Sequence, residues 1–161
     1  MPETFNVGIG ELKVSKDKES IIVTRGLGSC VAVCLYDSKL KIAGMAHIML
    51  PQDNGRGDSM SARFADTGIP RLLEAMTKEG ASPENIVAKI VGGARMFQMP
   101  GGNSLLEIGE RNVTAVKDVL ESLKLKLVAA DTGKDYGRTA ELSVATGELL
   151  VKAIGHNTIV L

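Results

Sequence analysis

Apolar residues along the chain recur with two different periods, which predict strands toward both ends and two helices between them. Strands are predicted where β-branched or continuous apolar residues are bounded by glycine, proline or polar turns. They cover residues 5–14, 20–24, 30–36, 41–50, 86–91, 127–130, 140–145 and 148–154. Apolar positions three and four apart predict one helix from about Asp66 to Gly80 and another over residues 112–125. This grouping predicts an α+β fold with mixed or antiparallel sheets, and not a doubly wound α/β fold.

One segment, residues 30–36 (CVAVCLY), is apolar at every position. It indicates a strand covered on both faces, although a short buried helix fits the pattern equally well. Glycines at 26 and 28 interrupt the pattern before this segment, and a polar turn at 37–39 follows it. We therefore expect a hairpin that pairs residues 30–36 with 41–50.

The composition predicts one globular domain over residues 1–161 and no nucleic-acid partner. Nineteen Lys and Arg balance nineteen Asp and Glu, and the aromatic residues are three Phe, two Tyr and no Trp. The first residues show no basic segment followed by an apolar one, and the longest apolar stretch, 42–50, is too short to span a bilayer. Two cysteines make no disulfide framework. We expect a cytoplasmic protein without membrane insertion.

The glycine-rich segments predict neither a dinucleotide-binding loop nor a phosphate-binding loop. Gly26 and Gly28 follow a strand, but Val31 stands where a dinucleotide fingerprint needs its third glycine, so no cofactor is expected. The glycine pairs at 92–93 and 101–102 are interpreted as plain turns.

A metal site is rejected because the candidate ligands are badly spaced. Cys30 and Cys34 on one strand would lie about 13 Å apart, at roughly 3.3 Å per residue, which also excludes a disulfide between them. The spacing to His47 matches no common zinc module, and His156 stands in the C-terminal tail without an assigned partner. Only the helical alternative for residues 30–36 would revive a metal site.

One set of residues can carry chemistry: Cys30 after the glycine turn, His47 on the partner strand of the hairpin, and Thr24 at the end of the preceding strand. Backbone N–H groups of such a turn can stabilise a bound carbonyl oxygen. His47 can hold Cys30 as the reactive thiolate, and Thr24 can fix the second ring nitrogen. Each residue also has a plain structural explanation, as a core cysteine, a hydrogen-bonded core histidine and a strand threonine. Cys34 is assigned to the core.

Five segments resemble the CheD family, the chemoreceptor glutamine deamidases of bacteria and archaea. Residues 24–34 (TRGLGSCVAVC) and 44–51 (GMAHIMLP) are the most specific, and the others are 89–97 (KIVGGARMF), 108–112 (IGERN) and 131–138 (DTGKDYGR). The resemblance thus extends over nearly the whole chain. One departure is Lys134, where the family pattern has a second glycine after Gly133.

The resemblance implies a nucleophile at Cys30, a general base at His47 and an orienting residue at Thr24. It also implies a mixed β-sandwich flanked by helices, similar to the cysteine-dependent catalytic domain of deamidating bacterial toxins. The implied reaction converts receptor glutamines to glutamate through a thioester, needs no cofactor or metal, and acts on the cytoplasmic helices of chemoreceptors.

Two alternatives remain beside the deamidase. The family resemblance also suggests a partner, a CheC-type phosphatase, so the chain could be a non-catalytic chemotaxis regulator. A different cysteine hydrolase, such as a thioesterase, is the second alternative. Residues 52–59, a polar loop directly after the His47 strand, are predicted to form the rim of the site.

Overall fold

Ten strands form two five-stranded sheets in the computed structural model, which describes residues 3–55, 61–96 and 107–161. In chain order the strands are β1 (Thr4–Asn6), β2 (Leu12–Ser15), β3 (Ile21–Leu27), β4 (Val31–Asp37), β5 (Ile42–Ile48), β6 (Ile86–Gly92), β7 (Lys126–Thr132), β8 (Arg138–Ser143), β9 (Leu149–Lys152) and β10 (Ile159–Val160). The first sheet has the order β1-β3-β8-β9-β10, and the second has the order β2-β5-β4-β6-β7. The pairs β1–β3 and β6–β7 are parallel and the others antiparallel, so both sheets are mixed, as predicted.

The second sheet is the middle layer of the molecule, which explains why β4 is apolar at every position. Val31, Val33 and Leu35 pack against the two helices on one side. Ala32 and Cys34 face the first sheet on the other side, in a core shared with strands β3, β8 and β9. Fully burying one such aliphatic side chain stabilises the fold by about 1.5–3 kcal/mol. The strand alternative for residues 30–36 is therefore confirmed.

Two α-helices, α1 (Ala65–Lys78) and α2 (Ile108–Ser122), cover the outer face of the second sheet, and a short 3-10 helix spans Pro83–Asn85. Helix α1 buries an apolar stripe that includes Leu72 and Met76, as its period predicts. These two side chains pack directly on Gly44 of β5, where a Cβ atom would come within 2.8 Å of the Met76 sulfur. Gly80 follows the helix with φ +108°, the conformation of a C-terminal glycine cap.

Four details differ from the predicted elements. The strand predicted over residues 5–14 is two strands in different sheets, β1 and β2, because the chain turns at Gly10 with φ +78°. Strand β3 does not end at Thr24 as predicted but continues to Leu27, with a register shift against β8. Helix α2 begins four residues before the predicted start, which places Asn112 inside it. Strand β10 is absent from the predicted elements, because a segment of two exposed residues is too short to show a hydrophobic period.

Some predicted features fall outside the described residues: part of the loop 52–59, the glycine pair 101–102 and the end of segment 89–97. Within the described part of the chain, no helix is long and apolar enough to cross a membrane.

Candidate active site

The structure brings Thr24 and His47 together across the gap between the two sheets. Thr24 lies on β3 of the first sheet and His47 on β5 of the second, and each is only 1% exposed. Both face the shared core, because Ile22 on β3 and Met45 on β5, two residues away, are buried there. The Thr24 Oγ1 and His47 Nδ1 atoms are 2.8 Å apart. This contact requires both sheets.

The backbone carbonyl of Val7 determines which nitrogen of His47 carries the proton. The Thr24 hydroxyl donates its one hydrogen to the Val7 carbonyl oxygen at 2.6 Å. Its oxygen can therefore only accept from His47, so Nδ1 carries the hydrogen of the neutral ring. Nε2 then holds the free lone pair. This atom is buried and has no hydrogen-bond partner among the described residues.

Cys30 lies directly before β4 and on the same face of the sheet as His47. Ala32 is paired with His47 across the two strands, and Cys30 is two residues before Ala32. The two residues are therefore diagonal neighbours, a relation with a Cα separation of about 7–8 Å that long side chains can bridge. Cys30 is 8% exposed, so its sulfur lies just under the surface.

The backbone around Cys30 is held by the end of β6. The N–H of Gly93 donates to the Cys30 carbonyl at 2.8 Å, and the N–H of Ala94 donates to the Gly28 carbonyl at the same distance. Gly92 has φ +119°, and a Cβ atom there would lie 2.2 Å from the Cys30 carbonyl oxygen. The glycine pair 92–93, interpreted as a plain turn, thus supports the backbone of residues 28–30, called the cysteine loop below. Among the described residues, no backbone acceptor faces the N–H of Ser29 or Cys30.

Burial favours the neutral forms of both reactive groups. It raises the pKa of the Cys30 thiol. It lowers the pKa of His47, although the Val7 backbone and the Glu11 charge act in the opposite direction. Both shifts oppose a thiolate–imidazolium pair. Burial thus favours the neutral thiol and imidazole over the thiolate expected from the sequence.

Cys34 is a residue of the shared core, and His156 lies between β9 and β10. Cys34 is 2% exposed, and burial raises its pKa to about 12 despite the charge of Lys89 opposite it, so its assignment to the core is confirmed. The ring of His156 stacks on Tyr136, with the two ring centroids 3.8 Å apart. Cys34, two residues after Ala32, has the same diagonal relation to His47 as Cys30 and differs from it in being almost completely buried.

Asn112 is the residue near this site that sequence reasoning missed. It is fully buried on α2, and its side-chain nitrogen donates to the carbonyls of Ser29 and Met49, each at 2.9 Å. The available signal was a polar residue in line with the buried Val116 and Leu120, four and eight positions later.

Lys134, which stands where the family pattern has a glycine, adopts a backbone conformation that glycine favours. Lys134 has φ +63°, in the left-handed region that a glycine adopts freely and that costs other residues about 1–2 kcal/mol. Its carbonyl still accepts the N–H of Arg95 at 2.8 Å, so the backbone contact of this loop is made with lysine in place. The loop borders an open cavity of about 550 Å³ beside Gly93.

The fold and the site define a mixed α+β protein of two packed sheets, with a histidine–threonine pair and a cysteine at one end of the core. A crystal structure of a Neisseria meningitidis protein from the DUF152 family shares this fold. Its TM-score is 0.52 at 10% identity, over 82% of this chain and 64% of that one.

The chain belongs to the CheD family: the family model for CheD chemotactic sensory transduction matches residues 49–153. A probable chemoreceptor glutamine deamidase CheD of Caldanaerobacter subterraneus is 50% identical over 153 residues, which is 94% of both chains. The chemoreceptor glutamine deamidase CheD of Thermotoga maritima is 47% identical over 149 residues, 92% of this chain and 91% of that one. The match to the family model begins after His47, whereas an alignment that covers 94% of the chain must include residues 24–47.

Proposed function

We propose that this protein is a cysteine hydrolase that converts glutamine side chains of chemoreceptors to glutamate. Cys30 is the nucleophile, His47 the general base and Thr24 the residue that orients His47. The observation that carries the proposal is the buried His47 Nε2, which has no hydrogen-bond partner within residues 3–55, 61–96 and 107–161, while Nδ1 is held by Thr24. The substrate class comes from relatives that bear the name chemoreceptor glutamine deamidase.

The first half of the reaction forms a thioester. His47 Nε2 takes the thiol proton as the Cys30 sulfur attacks the carbon of the glutamine amide. The negative oxygen of the tetrahedral intermediate is placed against the N–H groups of Ser29 and Cys30, which have no described backbone acceptor. His47 then donates its proton to the amide nitrogen, the C–N bond breaks, and ammonia leaves.

The second half hydrolyses the thioester with one water molecule. His47, neutral again, removes a proton from the water as its oxygen attacks the thioester carbon. The C–S bond breaks, the proton returns to the Cys30 sulfur, and glutamate is released. The lowered pKa of His47 suits this role because the imidazole must be neutral before each half of the reaction.

The proposed substrate sets the location and the partners. The target glutamines lie on cytoplasmic helices of chemoreceptors, so the enzyme acts in the cytoplasm. A CheC-type phosphatase is the proposed regulatory partner. A catalytic site arranged like that of the deamidating toxins is also proposed, and superposition of their cysteine, histidine and third residue on Cys30, His47 and Thr24 tests it.

The two alternatives make different demands on the site. A regulator that only binds a phosphatase has no use for a buried histidine nitrogen that lacks a partner in the described part of the chain, since such a nitrogen costs stability. A thioesterase could use the same three residues, but the relatives' names give it no support.

The decisive experiment is the intact mass of a chemoreceptor cytoplasmic fragment before and after incubation with the protein. For each modified glutamine, we expect the mass of the fragment to rise by the difference between an acid and an amide, and we expect ammonia to be released. Cys30→Ala should abolish both signals, while the matched variant Cys34→Ala should keep most activity because Cys34 is more deeply buried than Cys30 and does not follow the glycine turn. Full activity in Cys30→Ala would disprove the mechanism, and an unmodified fragment with the unaltered protein would disprove the function.

A further inference from the structure

The side chain of Asn112 joins the two strand ends that carry Cys30 and His47. Its amide nitrogen donates one hydrogen to the carbonyl of Ser29 and the other to the carbonyl of Met49. Ser29 directly precedes Cys30, and Met49 is the second residue after His47. Among the described residues, no other donor reaches either carbonyl.

The orientation of this amide is fixed by its neighbours. Both neighbours are carbonyl oxygens, which can only accept, so the nitrogen and not the oxygen of Asn112 must face them. The Asn112 Oδ1 atom is buried without a partner in the described structure, which is unfavourable for a polar atom. A residue that served only to fill this space could be apolar and would avoid that cost. The two donated hydrogen bonds therefore account for asparagine at this position.

Helix α2 presents Asn112 from a rigid base. Gly109, one turn earlier, lies against the chain at Gly93 and Ala94, where a Cβ atom would come within 2.6 Å of the Gly93 oxygen and 2.5 Å of the Ala94 oxygen. The same Gly93 and Ala94 donate hydrogen bonds to the carbonyls of Cys30 and Gly28. The cysteine loop is thus held both by the end of β6 and by Asn112.

We propose that Asn112 is a positioning residue that sets the spacing between Cys30 and His47 by holding the Ser29 and Met49 carbonyls on one planar amide group. This proposal rests on the proposed deamidase function, in which the thiol must meet both His47 and the substrate amide. A shift of about 1 Å between reacting groups can cost roughly 100-fold in rate. No hydrogen bond of the Thr24–His47 pair involves Asn112.

The test compares Asn112→Ala with Val116→Ala, which truncates a fully buried residue one turn further along the same helix. Asn112→Leu is the second variant, since it retains the volume but removes both donors. The measurements are the free energy of unfolding by denaturant, kcat and KM for receptor deamidation, and the pH profile of Cys30 alkylation by iodoacetamide.

We expect Asn112→Ala and Asn112→Leu to lower kcat by about 10–100-fold with little change in KM, while Val116→Ala loses stability but changes kcat by less than about threefold. Release of Ser29 should also expose Cys30, so its alkylation should begin at lower pH in the Asn112 variants and not in Val116→Ala.

Equal losses of kcat in the Asn112 and Val116 variants would overturn the proposal and leave Asn112 a structural residue. If the unaltered protein does not deamidate the receptor, the proposed function fails, and the alkylation profiles decide the positioning role by themselves. An unchanged alkylation profile in both Asn112 variants would then reject it.

Discussion

At the scale of the residue, the chemistry of His47 depends on a chain of two hydrogen bonds. The Val7 carbonyl takes the Thr24 hydrogen, Thr24 accepts from Nδ1, and Nε2 is left as a base. No sequence motif or residue spacing predicts this, since the first acceptor is a backbone carbonyl. The Thr24 contact orients the ring, and burial lowers the pKa of His47, which favours the neutral imidazole.

The protonation state of Cys30 follows from that burial and can be measured. Because burial raises the pKa of this thiol, we expect alkylation of Cys30 by iodoacetamide to need a pH above about 8.5, the ordinary value for cysteine. The sign is direct: the reactive thiolate accumulates as pH rises through the pKa, so a raised pKa moves the profile upward. Cys34→Ala gives a protein with a single thiol for this measurement.

His47→Ala serves as the comparison for the same profile. A neutral imidazole adds no charge that would stabilise the thiolate, so the variant should alkylate over nearly the same pH range. A midpoint well below 8.5 in the unaltered protein, lost in His47→Ala, would instead establish the thiolate–imidazolium pair that the sequence suggested.

At the scale of the element, the position of Cys30 is set by where β6 ends. Strand β6 lies beside β4 and stops at Gly92, and the chain then turns under the cysteine loop through two glycines of positive φ. The left-handed conformation at Gly92 allows the N–H of Gly93 to reach the Cys30 carbonyl.

Gly92→Ala should therefore destabilise the protein by about 3 kcal/mol or more, the sum of left-handed strain and a clash with backbone that cannot move aside. Gly155→Ala is the matched control, since Gly155 has φ +81° but open space around it. That variant should lose only about 1–2 kcal/mol. Urea unfolding of the two variants measures the difference, and similar losses would mean that contact with the Cys30 carbonyl contributes little.

At the scale of the whole molecule, the site exists only where the two sheets meet. Thr24 comes from one sheet, Cys30 and His47 come from the other, and the helix layer adds Asn112 from behind. The site lies at one end of the sandwich, and Met49, beside it, is three residues before the loop 52–59. This end is where we expect a receptor helix to dock.

A CheC-type phosphatase should compete with the receptor for this end of the molecule. We expect the phosphatase to inhibit deamidation, and we expect this inhibition to be relieved as receptor concentration rises. The reason is that the phosphatase and the receptor would both cover the loop 52–59 and the surface beside Cys30. Substitutions at Gln52 and Asp53 should weaken the inhibition, and phosphorylated response regulator should relieve it by drawing the phosphatase away. Inhibition that does not respond to receptor concentration would place the phosphatase elsewhere.

The sequence by itself determined the order and type of most elements and the residues able to do chemistry. Three local patterns are the β-branched runs, the helical period of α1 and residues 30–36, which are apolar at every position. The structure confirms the elements that these patterns predict. Cys30 after a glycine turn and His47 on its partner strand also follow from local spacing, since a hairpin brings close neighbours in sequence together.

Only the tertiary structure decided what depends on contacts between distant segments. The division of residues 5–14 between two sheets is one example. The contacts of Thr24 with His47, and of Asn112 with Ser29 and Met49, are others, because they join segments that no local period relates. The direction in which burial shifts the pKa of Cys30 also comes from these contacts, because a pKa depends on how much surrounding protein excludes water, and residue spacing carries no measure of that burial.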